Sequence, residues 1–559
     1  MSDFKSIFES RYTWIEGFMR NVRRYANRLA MIMPDENYKG RGTNDNTVTW
    51  TYAELNQETN RLCNALMAEG MQKGDVVMVQ TLNSPEFAFA YVAAHKSHCV
   101  CCPVSYRLKP GEMAYNIDDS KPKVVICCAS KMDGVIEAIN IAQYKPKKLV
   151  VTSSVLPQTA LKCDTDIVTY NDFVAEASVE EPAFTCEYNI YDETTRLYTS
   201  GTTGKPKAVA MTSINEVLSA HDVMIHFPMS YKDVTMNTTP WFHRGGLHCA
   251  GPCPAFYAGS TIVIMGKFDA LTTLRYVSRY KITFLIGVPT VLEALADEQE
   301  RKGYDISSLK GIVTMGSPLE RGACIRYQKV LTPNIFNGYG TTETFWNTFL
   351  RPFDLPDNAG TAGASCVDDD VRVVKVYDDH RAEPDELVDT DGNEVGEVII
   401  CSPAKSPYKY YGNEAETEKK YYKGFIYTND LATWDENQFI TIVGRKDDMI
   451  ISSGENIYPT EVEAVLNLHP KVKDCIVTSV PDKIRGQVVT AYIVVADNTL
   501  TPEELDDYCK RSPDIANFKR PRYYRFTQQI PFNATGKKLH VKIKETASID
   551  LKNGLLYRV

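Results

Sequence analysis

"LYTSGTTGKPKAV", residues 197–209, places two glycines, five hydroxyl-bearing side chains and two lysines within thirteen positions. Such a stretch can cradle a polyphosphate. Glycine lets backbone N–H groups close around oxyanions, hydroxyls add neutral donors and lysines add charge. A Walker loop would need Gly-x-x-x-x-Gly-Lys followed by Ser or Thr, set between a strand and a helix. Here Gly201 and Gly204 are three apart, and Pro206 after Lys205 offers no hydroxyl for magnesium. Beyond it "KAVAM" reads as a strand, so the context is strand–loop–strand and the Walker class is excluded. An ordinary surface loop has the same composition, and this stretch alone does not separate the two.

The rest of the chain sets the frame. At 559 residues it exceeds what one hydrophobic core serves, so two to four domains are expected. Apolar residues at 43% and charged residues at 24% describe an ordinary globular protein. A net charge of −9 argues against general nucleic-acid binding, which needs a basic surface. No apolar run is long enough to span a bilayer, and the first residues, "MSDFKSIFESRYTW", do not form a signal peptide, so a cytoplasmic protein without stable membrane association is expected. Many of the fifteen cysteines sit in apolar runs such as "HCVCCPV" and "VVICCAS", as small buried hydrophobes would in a reducing compartment. His243, His248, Cys249 and Cys253 lack the repeated paired spacing of a zinc site.

Short apolar runs alternate with helical patterns over the first 150 residues and again from about Thr235 to Phe336. "VTWTYAEL" gives a strand and then a capping box, Thr51 with Glu54. Leu55, Leu62 and Leu66 follow on one helical face, and Gly70 ends it. "DVVMVQTL", "CVCCPV", "KVVICC" and "KLVVTS" read as strands separated by helices, which predicts a largely parallel α/β sheet. After about residue 445 the texture becomes a compact α+β unit. It opens on "YPTEVEAVLNLH", read as a helix boxed by Thr460 and Glu463. The polar stretch "GRKDDMI" marks the boundary, giving domains at 1–446 and 447–559. The fold class is α/β: a large N-terminal domain of several subdomains and a small, mobile C-terminal α+β domain.

The phosphate-loop stretch does not stand alone. It resembles the signature of the adenylate-forming superfamily, which includes acyl- and aryl-CoA ligases, luciferases and peptide-synthetase adenylation domains. "NGYGTTE" (337–343) is similar to that family's second core motif and "YTNDLATWDENQFITIVGRKDDMI" (427–450) to its third. "SGENIYPTEVE" (453–463) and "PFNATGKKL" (531–539) complete the set, in the family's order over about 340 residues. Softer matches at 49–56 and 102–126 extend it over nearly the whole chain.

The resemblance implies two half-reactions. A carboxylate attacks the α-phosphorus of ATP to give an acyl-adenylate and pyrophosphate, and a thiol then takes the acyl group and releases AMP. Thr199, Ser200, Gly201, Thr202, Thr203 and Gly204 would grip the β- and γ-phosphates, with Lys205 and Lys207 neutralising them. Glu343 would hold Mg2+, a hard cation suited to oxygen ligands. Thr342 would donate to the α-phosphate and Tyr339 would lie against adenine. Asn337, Gly338, Gly340 and Gly316, Ser317 and Pro318 of "GSPL" complete that nucleotide-binding set. Asp430 would accept from the ribose hydroxyls with Arg445 beside it. Asn429 departs from the glycine usual before that aspartate, although Asn tolerates left-handed backbone geometry. Lys537 matches the catalytic lysine, Lys538 being its neighbouring competitor. Asp447 falls at the hinge about which the small domain would turn, bringing Gly454 to the thiol tunnel for coenzyme A. Lys519 to Lys544 hold eight basic residues and no acid, readable as a solvated basic face or as a surface that meets coenzyme A.

The acyl pocket would draw on "TPWFHRGGLHCAGP". His243 matches the gate beside the adenylate, Trp241 and Trp346 would be apolar walls, and Gly245, Gly246 and "GSPL" suggest room for a bulky or cyclic group. Amino-acid-activating relatives place an aspartate soon after the corresponding aromatic. Arg244 stands in this stretch, with no acid, which disfavours an amino-acid substrate. The expected activity is an AMP-forming acid–CoA ligase using ATP, Mg2+ and coenzyme A on a small-molecule carboxylic acid. The competing readings are loading of a carrier protein and an inactive nucleotide-binding homologue, and a luciferase-like oxygenase has no residue to recommend it. A homodimer is left open.

Overall fold

The computed structural model describes residues 3–35, 46–183, 187–199, 205–377, 379–453, 455–532 and 538–559. The chain divides into two compact units, Met1–Asp370 with Cys401–Gly424, and Val371–Ile400 with Phe425–Val559.

The first unit is built on two sheets, and the predicted α/β alternation is present in both. One runs in the order Asp166–Thr169, Lys148–Thr152, Val124–Cys128, Val76–Gln80, Val100–Pro103, Glu193–Thr199, Lys207–Thr212. Its neighbours are parallel except the last pair, which is antiparallel. Val77, Met78, Val79, Cys101, Val125 and Ile126 are fully buried, as strands covered on both faces require. The other sheet has nine strands. Val234–Asn237, Phe284–Gly287, Gly311–Met315 and Ile335–Thr341 form its parallel centre, and Phe345–Leu350 turns back antiparallel.

Local signals carry through to these elements. The helix Tyr52–Ala68 has the Thr51–Glu54 box, with Glu54 N donating to Thr51 Oγ1 at 3.2 Å and Thr51 N to Glu54 Oε2 at 2.8 Å. Leu55, Leu62 and Leu66 are buried on its inner face. Gly70 follows with φ +79°, the left-handed geometry that glycine adopts without strain. No described helix is long and apolar enough to cross a membrane.

In the second unit, Val472–Asp482 and Gly486–Val495 form a long antiparallel hairpin, joined in parallel by Tyr523–Phe526. The helices Pro459–Asn467, Pro502–Arg511 and His540–Lys552 complete it, and Gly396–Cys401, Phe425–Trp434 and Ile440–Arg445 form an antiparallel sheet. One predicted cap is corrected. The helix at 459 is capped two residues earlier than Thr460 and Glu463 suggest: Tyr458 N donates to Glu461 Oε1 at 3.0 Å. Thr460 instead donates to the Val443 carbonyl, and buried Glu463 accepts from Val477 N at 2.8 Å. Pro459 can occupy a first helical turn without losing a hydrogen bond, which moves the cap upstream.

The fourteen cysteines among the described residues are free. Eleven are buried and Cys128, Cys163 and Cys401 are partly exposed. Burial pushes the Cys324 and Cys509 thiols up to about 11 and those of Cys63 and Cys102 to about 12.

Candidate active site

Open α/β sheets bind ligands beyond the carboxyl ends of their parallel strands, and several predicted residues meet there. Met315 pairs with Gly338 in register, so Gly316, Ser317 and Pro318 leave their strand beside Tyr339 and Gly340. Val234–Asn237, in the same parallel set, leads into Trp241, Phe242 and His243. Asn337 and Gly338 are buried within the strand, and Tyr339 is half-buried where it ends. Gly340 is required by close approach: a Cβ there would overlap the Phe345 carbonyl oxygen.

Thr342 and Glu343 occupy the turn between Ile335–Thr341 and Phe345–Leu350. Glu343 is buried and accepts a hydrogen bond from the Tyr410 hydroxyl. Burial by itself would raise its pKa, but the Lys420 charge and the Tyr410 bond outweigh this and hold it below the usual carboxylate value. A buried carboxylate kept ionised, with hard oxygen donors, fits a divalent cation such as Mg2+. Tyr410, Lys420 and Arg244 are the partners that the motif alone does not reveal. They come from distant segments, so no local spacing signals them.

Arg244 is buried at the start of the helix Arg244–His248. It donates to the Thr342 carbonyl and the Lys405 carbonyl, each at 2.6 Å, and to Ser219 Oγ at 3.3 Å. His243 stands at the N-cap of the same helix, and its Nε2 is buried with no hydrogen-bond partner among the described residues. Burial, then the nearby Arg107 charge, takes its pKa down to about 4, so the imidazole is neutral at pH 7.

At Gly245 and Gly246 the backbone packs closely on its neighbours. A Cβ on Gly245 would lie 2.8 Å from Met315 Sδ, and one on Gly246 would overlap the Pro240 carbonyl oxygen. These glycines serve close packing. Trp241 is buried against Phe87, with its backbone N–H donating to Asn83 Oδ1 at 2.8 Å. Trp346 is buried against Phe345 and Phe349, and its indole N–H donates to Asp222. His248 and Cys253 of the rejected zinc cluster do lie together, but beside Glu216, where His248 Nε2 and Glu216 Oε2 are 2.5 Å apart. That spacing is a hydrogen-bonded pair with no room for an ion between them.

Thr199 and Lys207 face each other in register on an antiparallel strand pair, and these are the two strands predicted on either side of the phosphate-loop stretch. Ser200, Gly201, Thr202, Thr203 and Gly204 lie outside the described residues. Lys205 Nζ is 5.8 Å from the Tyr115 ring centroid. Lys207 forms an ion pair with Glu416, another partner invisible to local reading.

In the second unit Asp430 and Arg445 are cross-strand partners, with Arg445 Nη1 2.8 Å from Asp430 Oδ1. Asn429 has φ +64°, so it occupies the left-handed turn that the sequence departure raised. Asp447, exposed in a short 3-10 turn, lies 3.6 Å from Arg445 Nη2. Gly454 and Lys537 fall outside the described residues. Lys538 is half-buried and bound to Asp474 at 2.9 Å, Glu463 at 3.3 Å and the Cys475 carbonyl at 2.5 Å. The basic stretch is also less free than its sequence suggests. Lys519 pairs with Glu461 at 2.7 Å and Arg520 pairs with Asp506.

With this geometry in place, comparison with known proteins identifies the class. Residues 18–407 match the AMP-binding enzyme family and residues 461–537 the AMP-binding enzyme C-terminal domain. The chain belongs to this family of AMP-binding enzymes. It is 31% identical over 505 residues to the long-chain-fatty-acid–CoA ligase FadD13 of Mycobacterium tuberculosis, covering 90% of this chain and 94% of that one. It is 30% identical over 508 residues to the fatty acid–[acyl-carrier-protein] ligase ScoC of Streptomyces coeruleorubidus, covering 89% and 91%. Among solved structures, the o-succinylbenzoate CoA synthetase of Bacillus subtilis with its acyl-adenylate intermediate superposes with a TM-score of 0.79 at 26% identity, over 94% of this chain and 97% of that one.

Proposed function

We propose that this enzyme is an AMP-forming acid–CoA ligase: it activates a carboxylic acid with ATP and transfers the acyl group to coenzyme A. The observation that carries this reading is the buried, ionised Glu343 beside Thr342, at the strand ends where His243 and Gly316–Pro318 also arrive. Both half-reactions gather negative charge around phosphate, so positioning and preorganised charge dominate. Glu343 would hold Mg2+, which supplies neutralisation of phosphate oxygens. Thr342 would donate to the α-phosphate, and Thr199 to Lys207 would bind the departing pyrophosphate. Tyr339 would lie on adenine, and Asp430 with Arg445 would orient the ribose.

Lys537 would contact the reacting carboxylate and α-phosphate oxygens during adenylation. Lys538 is the weaker candidate because its ammonium is already committed to Asp474, Glu463 and the Cys475 carbonyl. A turn about Asp447, at the expected 446/447 boundary, would exchange Lys537 for Gly454 and admit the thiol. Neutral His243 would gate the acyl group without adding charge. Arg244 is spent on backbone carbonyls, and the absence of an acid in its stretch keeps an amino acid the disfavoured substrate. A cytoplasmic location belongs to the same proposal, and a homodimer remains for size-exclusion chromatography with light scattering to decide.

A carboxylic-acid panel scored by AMP release in the presence of ATP, Mg2+ and CoA tests the reading. At least one acid should give CoA-dependent AMP release, and no release with any acid overturns the enzyme assignment. The resemblance to ScoC favours one second reading, loading of a carrier protein. AMP release indifferent to CoA but driven by a phosphopantetheinylated carrier protein would establish it.

A further inference from the structure

Arg244 stands in the segment read as acyl-recognising, yet its side chain reaches the turn that carries Thr342 and Glu343. Its two bonds at 2.6 Å join the Thr342 carbonyl to the Lys405 carbonyl. The far end of this strut is fixed. The Lys405 ammonium is buried between Asp369 at 2.6 Å and Asp222 at 3.0 Å, and it donates to the Trp346 carbonyl at 2.7 Å. The Arg244 guanidinium lies 5.6 Å from the Phe345 ring centroid. It has no carboxylate within ion-pair distance among the described residues, although it is buried away from solvent. A buried cation spent on two main-chain carbonyls is costly unless the geometry it imposes is used.

We propose that Arg244 is a positioning residue for adenylation: it fixes the main chain at Thr342 so that the Thr342 donor and the Glu343 carboxylate face the nucleotide phosphates in one arrangement. It acts through Thr342 and Glu343 and touches no reacting atom. Because it follows His243 directly, it also ties the acyl-binding segment to the phosphate-binding turn. The planar fork of arginine spans two divergent carbonyls, whereas an ammonium on a flexible stem reaches one at a time. The inference rests on the ATP-activating reading above.

The test uses the full chain with Arg244→Gln and Arg244→Lys, each checked for folding by circular dichroism. Mg·ATP affinity is titrated without any acid. Acid-dependent pyrophosphate–ATP exchange is then followed against Mg2+, and thioester formation is followed from a supplied acyl-adenylate and CoA. The expected result is exchange slowed by about 100-fold, as a displacement near 1 Å costs, with a raised Mg2+ requirement and thioester formation little changed. Exchange and Mg2+ requirement equal to wild type overturn the proposal, as does an equal fall in both half-reactions, the signature of a general structural defect. Where Arg244→Gln does not fold, Arg244→Lys, which keeps charge and bulk, carries the decision. If wild type shows no exchange with any acid, the ligase reading fails separately. Mg·ATP affinity then decides on Arg244, weakening in the variants supporting it and unchanged affinity overturning it.

Discussion

A carboxylate buried at a cation site must be kept charged by its neighbours, and Glu343 depends on Tyr410 and Lys420 for this. Tyr410→Phe removes one of them. A hydrogen bond to a charged group contributes about 1.5–3 kcal/mol, so the Glu343 pKa should move up and Mg2+ be held less well, most of all at low pH. The sign follows from the depressed pKa: the carboxylate is ionised well above it, and loss of the hydroxyl shifts the acid limb to higher pH. Mg2+ titrations of pyrophosphate exchange at pH about 4.5, near the ordinary carboxylate value, and at about 8, far above it, read this directly, and an equal loss at both would contradict it. At this scale the sequence names Thr342, Glu343, Asp430 and Arg445, because their motifs are contiguous. It cannot name Tyr410, Lys420 or Glu416, whose roles arise from contacts between remote segments. Arg244 draws attention in the sequence for the acid it replaces, while its actual partners are main-chain carbonyls that carry no sequence signature.

Two helix starts show how far local rules reach. Thr51 caps its helix as its spacing predicts, and among the described residues its side chain bonds only to Glu54, three residues on. Thr51→Ala should therefore cost about 1 kcal/mol, measurable as a lowered denaturation midpoint with catalysis intact; an unchanged midpoint would show the cap to be idle. At residue 459 the same pattern misleads, because tertiary partners claim Thr460 and Glu463. Glu463 receives Val477 N–H, His540 at 2.8 Å and Lys538 at 3.3 Å. Glu463→Gln takes the negative charge from this buried group and should destabilise the C-terminal unit by about 3 kcal/mol. Hydrogen exchange localised to Val472–Asp482 and His540–Lys552 would register it, and wild-type protection there would refute it.

Across the whole molecule, the alternating strands and helices are legible because each parallel strand is a short apolar run bounded by turns. The division at Val371 and Phe425 is not, since it depends on which strands pair rather than on composition. If Asp447 is the pivot between half-reactions, Asp447→Pro should restrict the turn. Adenylation would be largely kept and thioester formation lost, and equal loss of both would remove the hinge role. Acid stability belongs to this scale as well. His95, both of whose ring nitrogens are buried with no hydrogen-bond partner among the described residues, and His243 are each lowered by burial from 6.5 to about 4. Between those values the unfolded chain binds more protons, so stability is full above about pH 6.5 and falls as pH drops toward about 4. Urea midpoints measured at steps across that range should decline, and a flat series would count against neutral buried imidazoles.

The same burial gives the chain an internal clock. Thiolate is the reactive form of cysteine, and the eleven buried thiols are shielded from reagents, with burial also making Cys63, Cys102, Cys324 and Cys509 hard to ionise. Among the described cysteines, a maleimide or disulfide reagent offered to the native protein should mark Cys128, Cys163 and Cys401 first. Each further adduct then records an opening of the particular core that shelters it. Mass spectrometry of such adducts over time would rank the sheets by how often they breathe, with no probe engineered into the protein.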